Sequence, residues 1–366
     1  MSVPPVPARA AQIRAAQIRT DQFRRAQIRT AQIRTAQIRT VLGDIDAGSV
    51  GRTNYHEHLF QVSKLLLGDE LDDESASRAE AVSLRGSGFV AMVDATPIGL
   101  GRRPEALARI SASTKLTVVA TTGAHREPHY GPGHWLLELS ETELAERFVA
   151  DVDAGMPVLD GPTFGPRAQG PSGAGVRAGV VKAGIGYWSI SAFEHRVLAA
   201  VAVTWHRTGA AVMVHLEHGS AAFEVLALLA GHGVPANAVA LAHVDRNPDP
   251  GLHAELAATG AYLGYDGWAR SQRWPDSVLL DCLLAADAQG ATDRLLIGGD
   301  VARATRYRAY GGMPGLAYLG ERVLPRLERE ASTELVRAVL TTNPARWLSG
   351  DHDQARTGST RRRSEP

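Results

Sequence analysis

Short apolar runs that alternate with longer amphipathic stretches are the feature that most limits how this chain can fold. From about residue 41 the runs have the length of strands, and the stretches between them have helical spacing. The pattern repeats about eight times and predicts a parallel sheet, open or closed into a barrel. The predicted strands after the first are 88–94, 116–122, 176–182, 210–215, 238–243, 261–265 and 294–300. The predicted helices include 141–153, 192–208, 221–231 and 252–259, and segment 159–175, rich in Gly and Pro, predicts a long loop.

The N-terminal segment has a different character. Residues 11–40 are six five-residue units such as AQIRT, and a five-residue period turns by about 140° per unit on a helix, so no apolar face forms. We therefore predict disorder for residues 1–36 and for the polar tail 349–366, with one domain over 37–348. The repeat is interpreted as an expansion at the start of the gene. An Arg-rich arm for nucleic acid and an organelle transit segment are the alternatives.

Charge and composition narrow the classes of protein. Residues 1–40 carry eight Arg against one acidic residue, Asp21, whereas the whole chain has a formal charge of zero. The remainder is therefore mildly acidic, which argues against nucleic acid as its main ligand. No apolar run approaches the ~18 residues of a membrane span. The single cysteine, Cys282, is compatible with a reducing compartment, so a cytoplasmic location is expected.

Imidazole and carboxylate groups fall at the ends of several predicted strands. His56 and His58 are two residues apart, so in an extended segment both point to one face and can reach one ion. His215, His243 and Asp300 each end an apolar run. In a parallel barrel these ends meet at the face where active sites form. One such residue is commonly structural, but the set favours a metal site, because burying these groups without an ion would leave each to be satisfied separately.

Lys182 is notable because lysine is rare in this chain. Only three of its 39 Lys and Arg residues are lysine, and Lys182 ends the predicted fourth strand at the level of the imidazoles. A primary amine can react with carbon dioxide to give an anionic carbamate, which a permanently protonated guanidinium cannot. The alternative is a lysine that pairs with Asp300 or binds an anionic substrate.

The order HEH, strand-terminal Lys, His, His and Asp resembles the phosphotriesterase-related branch of the amidohydrolase superfamily. The likeness covers roughly residues 37–348. It includes the opening segment 38–45, Val93-Asp94-Ala95-Thr96, segment 178–182, Tyr310-Gly311-Gly312-Met313-Pro314-Gly315 and Thr342-Asn343-Pro344-Ala345.

The resemblance implies a (β/α)8 TIM barrel that holds two divalent metal ions. Zinc is the metal usual in the family, and cobalt or manganese can substitute. His56 and His58 would bind the more buried ion with Asp300, and His215 and His243 the more exposed one. N6-carboxylated Lys182 and a hydroxide would bridge both. The implied activity is hydrolysis, in which the hydroxide attacks the substrate and Asp300 takes the proton.

The loops differ from those of the better-known members, and they govern the substrate. Tyr130, Trp268, Arg270 and Arg303 are the candidate substrate contacts, although ordinary loop packing or solvated charge would also explain them. A lactone or carboxylic ester is the favoured small-molecule substrate, and a phosphotriester is the alternative.

A non-catalytic metal-binding barrel is the competing class of protein. Nucleic-acid association through residues 1–40 is a third hypothesis, which binding that is sensitive to salt and lost on their deletion would support. The oligomeric state stays open, a homodimer included.

Overall fold

The computed structural model describes residues 36–270 and 274–350. The disorder predicted for residues 1–36 and 349–366 therefore lies outside the described residues, apart from residues 36, 349 and 350. Ala36 accepts a hydrogen bond from the backbone of Ala47, and Ser349 and Gly350 bond to the last helix. Within the described ranges, no helix is both long and apolar enough to cross a membrane.

A two-stranded antiparallel hairpin precedes the main sheet. Its strands are β1 (Gln37–Thr40) and β2 (Gly43–Asp46). Eight parallel strands follow in strict chain order, each hydrogen-bonded to the next. They are β3 (Thr53–Glu57), β4 (Ala91–Asp94), β5 (Thr117–Gly123), β6 (Ala178–Ile185), β7 (Ala211–Leu216), β8 (Val239–Ala242), β9 (Tyr262–Tyr265) and β10 (Leu295–Ile297).

The last strand returns to the first. The backbone amides of Gly299 and Asp300, just after β10, donate to the carbonyl oxygen of His56 in β3 at 3.2 and 3.0 Å. With helices between successive strands, the sheet is a (β/α)8 barrel, as predicted. Sequential parallel strands joined by helices leave the carboxyl ends of all eight strands at one face.

The helices include the four that the apolar spacing predicts, each within two residues of its expected bounds. They are α1 (Glu74–Gly86), α2 (Pro104–Thr114), α3 (Glu141–Asp153), α4 (Ala192–Thr208), α5 (Ala222–Gly231), α6 (Pro250–Ala258), α7 (Asp276–Ala286), α8 (Leu324–Glu330), α9 (Thr333–Arg337) and α10 (Asn343–Leu348). Capping boxes at Ser140 and Ser191 fix the start of α3 and α4, since each serine and a glutamate three residues on satisfy one another's backbone amides.

Two apolar layers hold the barrel together. The larger lies between the sheet and the helices. The smaller fills the barrel interior, where Tyr55, Val93 and Leu296 pack with Ile38 of the hairpin and Trp347 of α10. The hairpin packs directly against β6. A Cβ on Gly179 of that strand would lie only 2.6 Å from the backbone oxygen of Arg39. These layers make a rigid support for the face that carries the polar residues.

Candidate active site

The six residues predicted as metal ligands are all buried at the carboxyl face of the barrel. His56 lies in β3 and His58 directly after it, while His215 is the penultimate residue of β7. His243 and Asp300 follow β8 and β10 with φ of 69° and 42°, left-handed values that are uncommon outside glycine. Strain of this kind is frequent at functional sites.

Among the six predicted ligands, Lys182 lies at a different position in its strand from the one predicted. β6 extends to Ile185, so Lys182 lies inside the strand and not at its end. Its Nζ donates to the carbonyl oxygen of Ala95 at 2.9 Å, and within the described ranges it forms no ion pair. Burial lowers the pKa of this amine to about 8, although Asp300 and Asp266 act in the opposite direction. A neutral amine is thereby accessible near neutral pH.

Two clusters of side chains could each hold a cation. His56, His58 and Asp300 form one, with Nε2 of the two histidines 3.6 and 3.5 Å from Asp300 Oδ1. His56, His243 and Asp266 also lie close enough together, but there the carboxylate is engaged by hydrogen bonds with Nδ1 of both rings. Nε2 of His56 is buried without a hydrogen-bond partner among the described residues. A buried imidazole nitrogen with no partner is costly unless something binds it, and a cation fits that position.

Burial favours the neutral, metal-binding form of three of the site histidines. Burial lowers the pKa of His58 and of His243 to about 3, and it lowers the pKa of His215 well below its usual value. His215 Nδ1 and His243 Nε2 are 2.8 Å apart, so their nitrogens converge on one point. Neutral nitrogens that converge in this way are suited to a shared cation.

Asp266, directly after β9, forms hydrogen bonds with both His56 and His243. Its Oδ2 lies 3.0 Å from His56 Nδ1 and its Oδ1 lies 2.6 Å from His243 Nδ1, and Tyr55 also donates to it through a short hydrogen bond. Burial opposes ionisation of this carboxyl, but His243 and His56 lower its pKa below the usual range. The carboxylate thus fixes both imidazoles with Nε2 turned toward the site. Its position directly after the apolar strand β9 is the signal in the sequence that could have identified it.

Two arginines hold the carboxylate of Asp300. Arg246 Nη2 lies 3.0 Å from Oδ2, and Arg270 bonds both Oδ2 and the backbone oxygen of Asp300 through short contacts. Burial would raise the pKa of Asp300, but Arg270 and the histidines hold it well below its usual value. Arg246 was not singled out from the sequence, and the strand-end pattern could not have found it, because it lies four residues beyond the end of β8.

A cavity of about 660 Å³ opens above these residues. Most of the residues that line it are polar or charged. Beyond the predicted ligands, the walls include Gln61, Leu65, Leu66, His125, Arg126, His129, Glu217, His218, Arg246, Arg270, Trp274, Leu279 and Arg303.

The four predicted substrate contacts divide into two pairs. Arg270 and Arg303 line the cavity, where Arg270 bonds Asp300, and Arg303 pairs with Asp69 at 3.3 Å. Tyr130 and Trp268 are only 1% and 2% exposed and do not line it. The hydroxyl of Tyr130 bonds the backbone of Ile98 and His125, and the indole of Trp268 donates to Tyr265 O. Their structural setting is therefore packing behind the wall.

Eight parallel strands that bring imidazoles and carboxylates together at one end define a barrel of the enzyme type, with an active site whose side chains are able to hold a cation. The sequence profile of the Phosphotriesterase family matches residues 36–348. The chain belongs to that family and is a hydrolase.

The chain is similar to a "Phospho-furanose lactonase" of Mycoplasmopsis agalactiae, with 29% identity over 85% of this chain and 91% of that protein. Among solved structures it is similar to a lactonase from Listeria monocytogenes, with 30% identity, a TM-score of 0.74, and coverage of 86% of this chain and 99% of that one. It is also similar to the phosphotriesterase homology protein of Escherichia coli complexed with phosphate in the active site. That match has 25% identity, a TM-score of 0.72, and coverage of 82% and 99%.

Proposed function

We propose that this protein hydrolyses lactones with the help of two divalent cations, zinc being the metal that suits the ligands best. His56, His58 and Asp300 would hold one cation, His215 and His243 the other, and Lys182 as an N6-carbamate would contact both. The observation that carries this proposal is the convergence of these buried side chains, in a family whose lactonase members are similar to this chain. The unpartnered Nε2 of His56 supports the presence of a cation.

Lys182 is suited to carbamate formation. The reaction joins the neutral amine to carbon dioxide and releases one proton, so it requires an amine that is not fixed in an ion pair. Burial lowers the pKa of Lys182 to about 8, and its Nζ contacts a backbone oxygen and no carboxylate within the described ranges. The resulting anion would also remove the problem of a buried ammonium beside two cations.

The protein's own side chains can take up the proton that the attacking water releases during hydrolysis. When bound, the cations supply polarisation of the lactone carbonyl and make a water molecule acidic enough to attack at neutral pH. Asp300 would accept the proton of that water, because its carboxylate is ionised and lies at the centre of the site. Arg246 and Arg270 would hold the carboxylate in place before and after the transfer.

Within lactones, an anionic sugar lactone is the class we favour. Arg246, Arg270 and Arg303 bring three guanidinium groups to a cavity lined mostly by polar residues. Each guanidinium has five N–H donors, more than its carboxylate partner, Asp300 or Asp69, takes up. Guanidinium groups bind phosphate and carboxylate through paired hydrogen bonds. The similarity to a "Phospho-furanose lactonase" supports the same class. A phosphotriester, which bears no charge, would make less use of these cations and stays the alternative.

The test is a comparison of rates with a metal analysis. Sugar lactones with and without a phosphate group, simple carboxylic esters and a paraoxon-like triester would be assayed with zinc, cobalt and manganese. We expect lactone hydrolysis to be fastest and about two cations per chain to be bound. Lys182→Ala should lose most of the metal and activity, whereas Lys115→Asn, which changes an exposed lysine, should keep both.

The outcomes separate the competing functions. A higher rate on the triester would favour the organophosphate alternative. Full metal occupancy without turnover of any ester would favour a non-catalytic metal-binding barrel. Unchanged metal content in Lys182→Ala would contradict the carbamate.

The buried single cysteine, Cys282, supports the proposed cytoplasmic location.

A further inference from the structure

His125 is a buried imidazole of the cavity wall that the proposed chemistry does not use. It lies two residues after β5, is 7% exposed, and borders the cavity. Its ring packs against His129 and against His215, with centroids 3.9 and 4.4 Å apart. A group on the substrate that comes next to His215 therefore also comes next to His125.

The hydrogen bonds of His125 fix its tautomer. The backbone amide of Arg126 donates to His125 Nδ1 at 2.8 Å, so Nδ1 carries no proton. The ring is consequently neutral with its proton on Nε2, because protonation of both nitrogens would set two donors against each other. Nδ1 faces β6, since a Cβ at Gly184 would lie 3.3 Å from it. Nε2 is on the opposite edge and has no partner among the described residues.

The position of the ring is held from behind. The hydroxyl of Tyr130 accepts a hydrogen bond from the backbone amide of His125 at 2.7 Å and donates to Ile98 O at 3.1 Å. Both the backbone and the ring of His125 are therefore fixed before a substrate arrives. A preorganised donor loses little entropy on binding, which is the property of a specificity-determining group.

We propose that His125 Nε2–H donates a hydrogen bond to a hydroxyl oxygen on the substrate carbon next to the reacting carbonyl, and so selects lactones that carry this hydroxyl. The inference rests on the proposed lactone hydrolysis. The carbonyl oxygen itself would be bound by the cations, and the ring oxygen is the leaving group of the hydrolysis. The next oxygen along the substrate is the hydroxyl on the carbon adjacent to the carbonyl. A neutral donor suits an uncharged hydroxyl, whereas the arginines of the cavity suit an anion. Tyr130 would act as a positioning residue through the backbone of His125.

The experiment compares a 2-hydroxy lactone with its 2-deoxy analogue in four forms of the metal-loaded protein. These are the parent, His125→Phe, His125→Gln and, as a matched control, His195→Phe on the exposed surface of α4. The parent and the control should prefer the hydroxylated lactone by about tenfold in kcat/KM. His125→Phe should abolish the preference while metal content stays unchanged. His125→Gln, whose amide can donate, should restore part of it.

The experiment distinguishes failure of the His125 assignment from failure of the proposed lactone hydrolysis. If the parent hydrolyses no lactone, the proposed function is wrong. If the parent is active but His125→Phe lowers kcat/KM equally for both lactones, or leaves the preference intact, the assignment of His125 is overturned. Loss of metal in His125→Phe would also overturn it, because the residue would then support His215 and not the substrate.

Discussion

Asp266 shows how one carboxylate can organise several ligands. Both of its oxygens accept hydrogen bonds from Nδ1 of an imidazole, one from His56 and one from His243, which directs Nε2 of each ring into the site. Partners of this kind hold the tautomer and orientation of metal-binding histidines. Asp266 therefore contributes to both proposed cation sites from behind the ligands.

Replacing Asp266 with Asn should weaken cation binding by about 10- to 100-fold, because an amide offers one acceptor oxygen for two imidazoles. The measurement is competition with a chelator of known affinity, followed by metal analysis. Asp153→Asn, at the exposed end of α3, is the control and should bind as the parent does. Equal affinity in both variants would remove Asp266 from the metal site.

Cys282 lies in α7 and is largely protected from solvent. Burial raises the pKa of its thiol to about 11, while a hydrogen bond with the Tyr265 hydroxyl acts in the opposite direction. An acid with a raised pKa stays protonated, so roughly one thiol in a thousand is ionised at pH 8.

We predict that an aromatic disulfide reagent reacts with native protein at pH 8 at least about 100-fold more slowly than with protein unfolded in urea. The native rate should rise as pH increases toward 11. Cys282→Ser supplies the blank, since the chain has one cysteine. Rapid reaction of the native protein at pH 8 would mean that this thiol is accessible and ionised.

At the level of elements, strand–helix alternation predicted the barrel because each strand is an apolar run with a clear end. The ends of β6 and β10 differ from the predicted ones. β6 continues through Ala183, Gly184 and Ile185, since β7 pairs with it up to Leu216. β10 ends at Ile297, before the predicted position, and the two glycines that follow let Tyr55 and Glu57 approach the chain more closely than a Cβ would permit. Such ends depend on neighbouring strands, which spacing within one segment does not report.

A buried ionic network anchors the long loop predicted at 159–175. Arg102 lies within 2.8 Å of Asp151 in α3 and within 2.7 Å of Asp160 in the loop, and its side chain is almost fully buried. Burial would lower the pKa of the guanidinium, but the two carboxylates raise it above the ordinary value. Arg102 therefore stays charged and joins the helix layer to the loop.

Replacing Arg102 with Met should lower the free energy of unfolding by about 3–5 kcal/mol, because it leaves the buried Asp151 and the partly buried Asp160 without their cation. Urea denaturation followed by circular dichroism measures the change. Arg109→Met is the matched control, since Arg109 pairs with Glu74 at an exposed position and should contribute at most about 1 kcal/mol. Similar losses in the two variants would show that the network does not anchor the loop.

For the whole molecule, the sequence predicted which polar side chains meet at the carboxyl face better than it predicted the cavity walls. The barrel brings all strand ends to one face, so His215, His243 and Asp300 meet whatever the loops do. The conformations of the loops depend on contacts between segments that are distant in the sequence. Arg270 bonds Asp300 across 30 residues, and Tyr130 turns inward to hold His125. No short-range pattern contains that information, and the wall that governs substrate choice was therefore the least predictable part.

The proposed ligands also come from separate parts of the barrel, between β3 and the segment after β10, so cations should tie the first strand to the last. A ligand that binds only the folded state stabilises it by about 4 kcal/mol at roughly a thousand times its Kd. For a domain of this size we expect chelation to lower Tm by about 5 °C, and added zinc to restore it. Scanning calorimetry at fixed protein concentration is the measurement. Lys182→Ala, which should bind little metal, should show a much smaller shift on chelation. A shift as large in that variant as in the parent would mean that the stabilising cation lies elsewhere, since only cations held by the barrel's carboxyl face depend on Lys182.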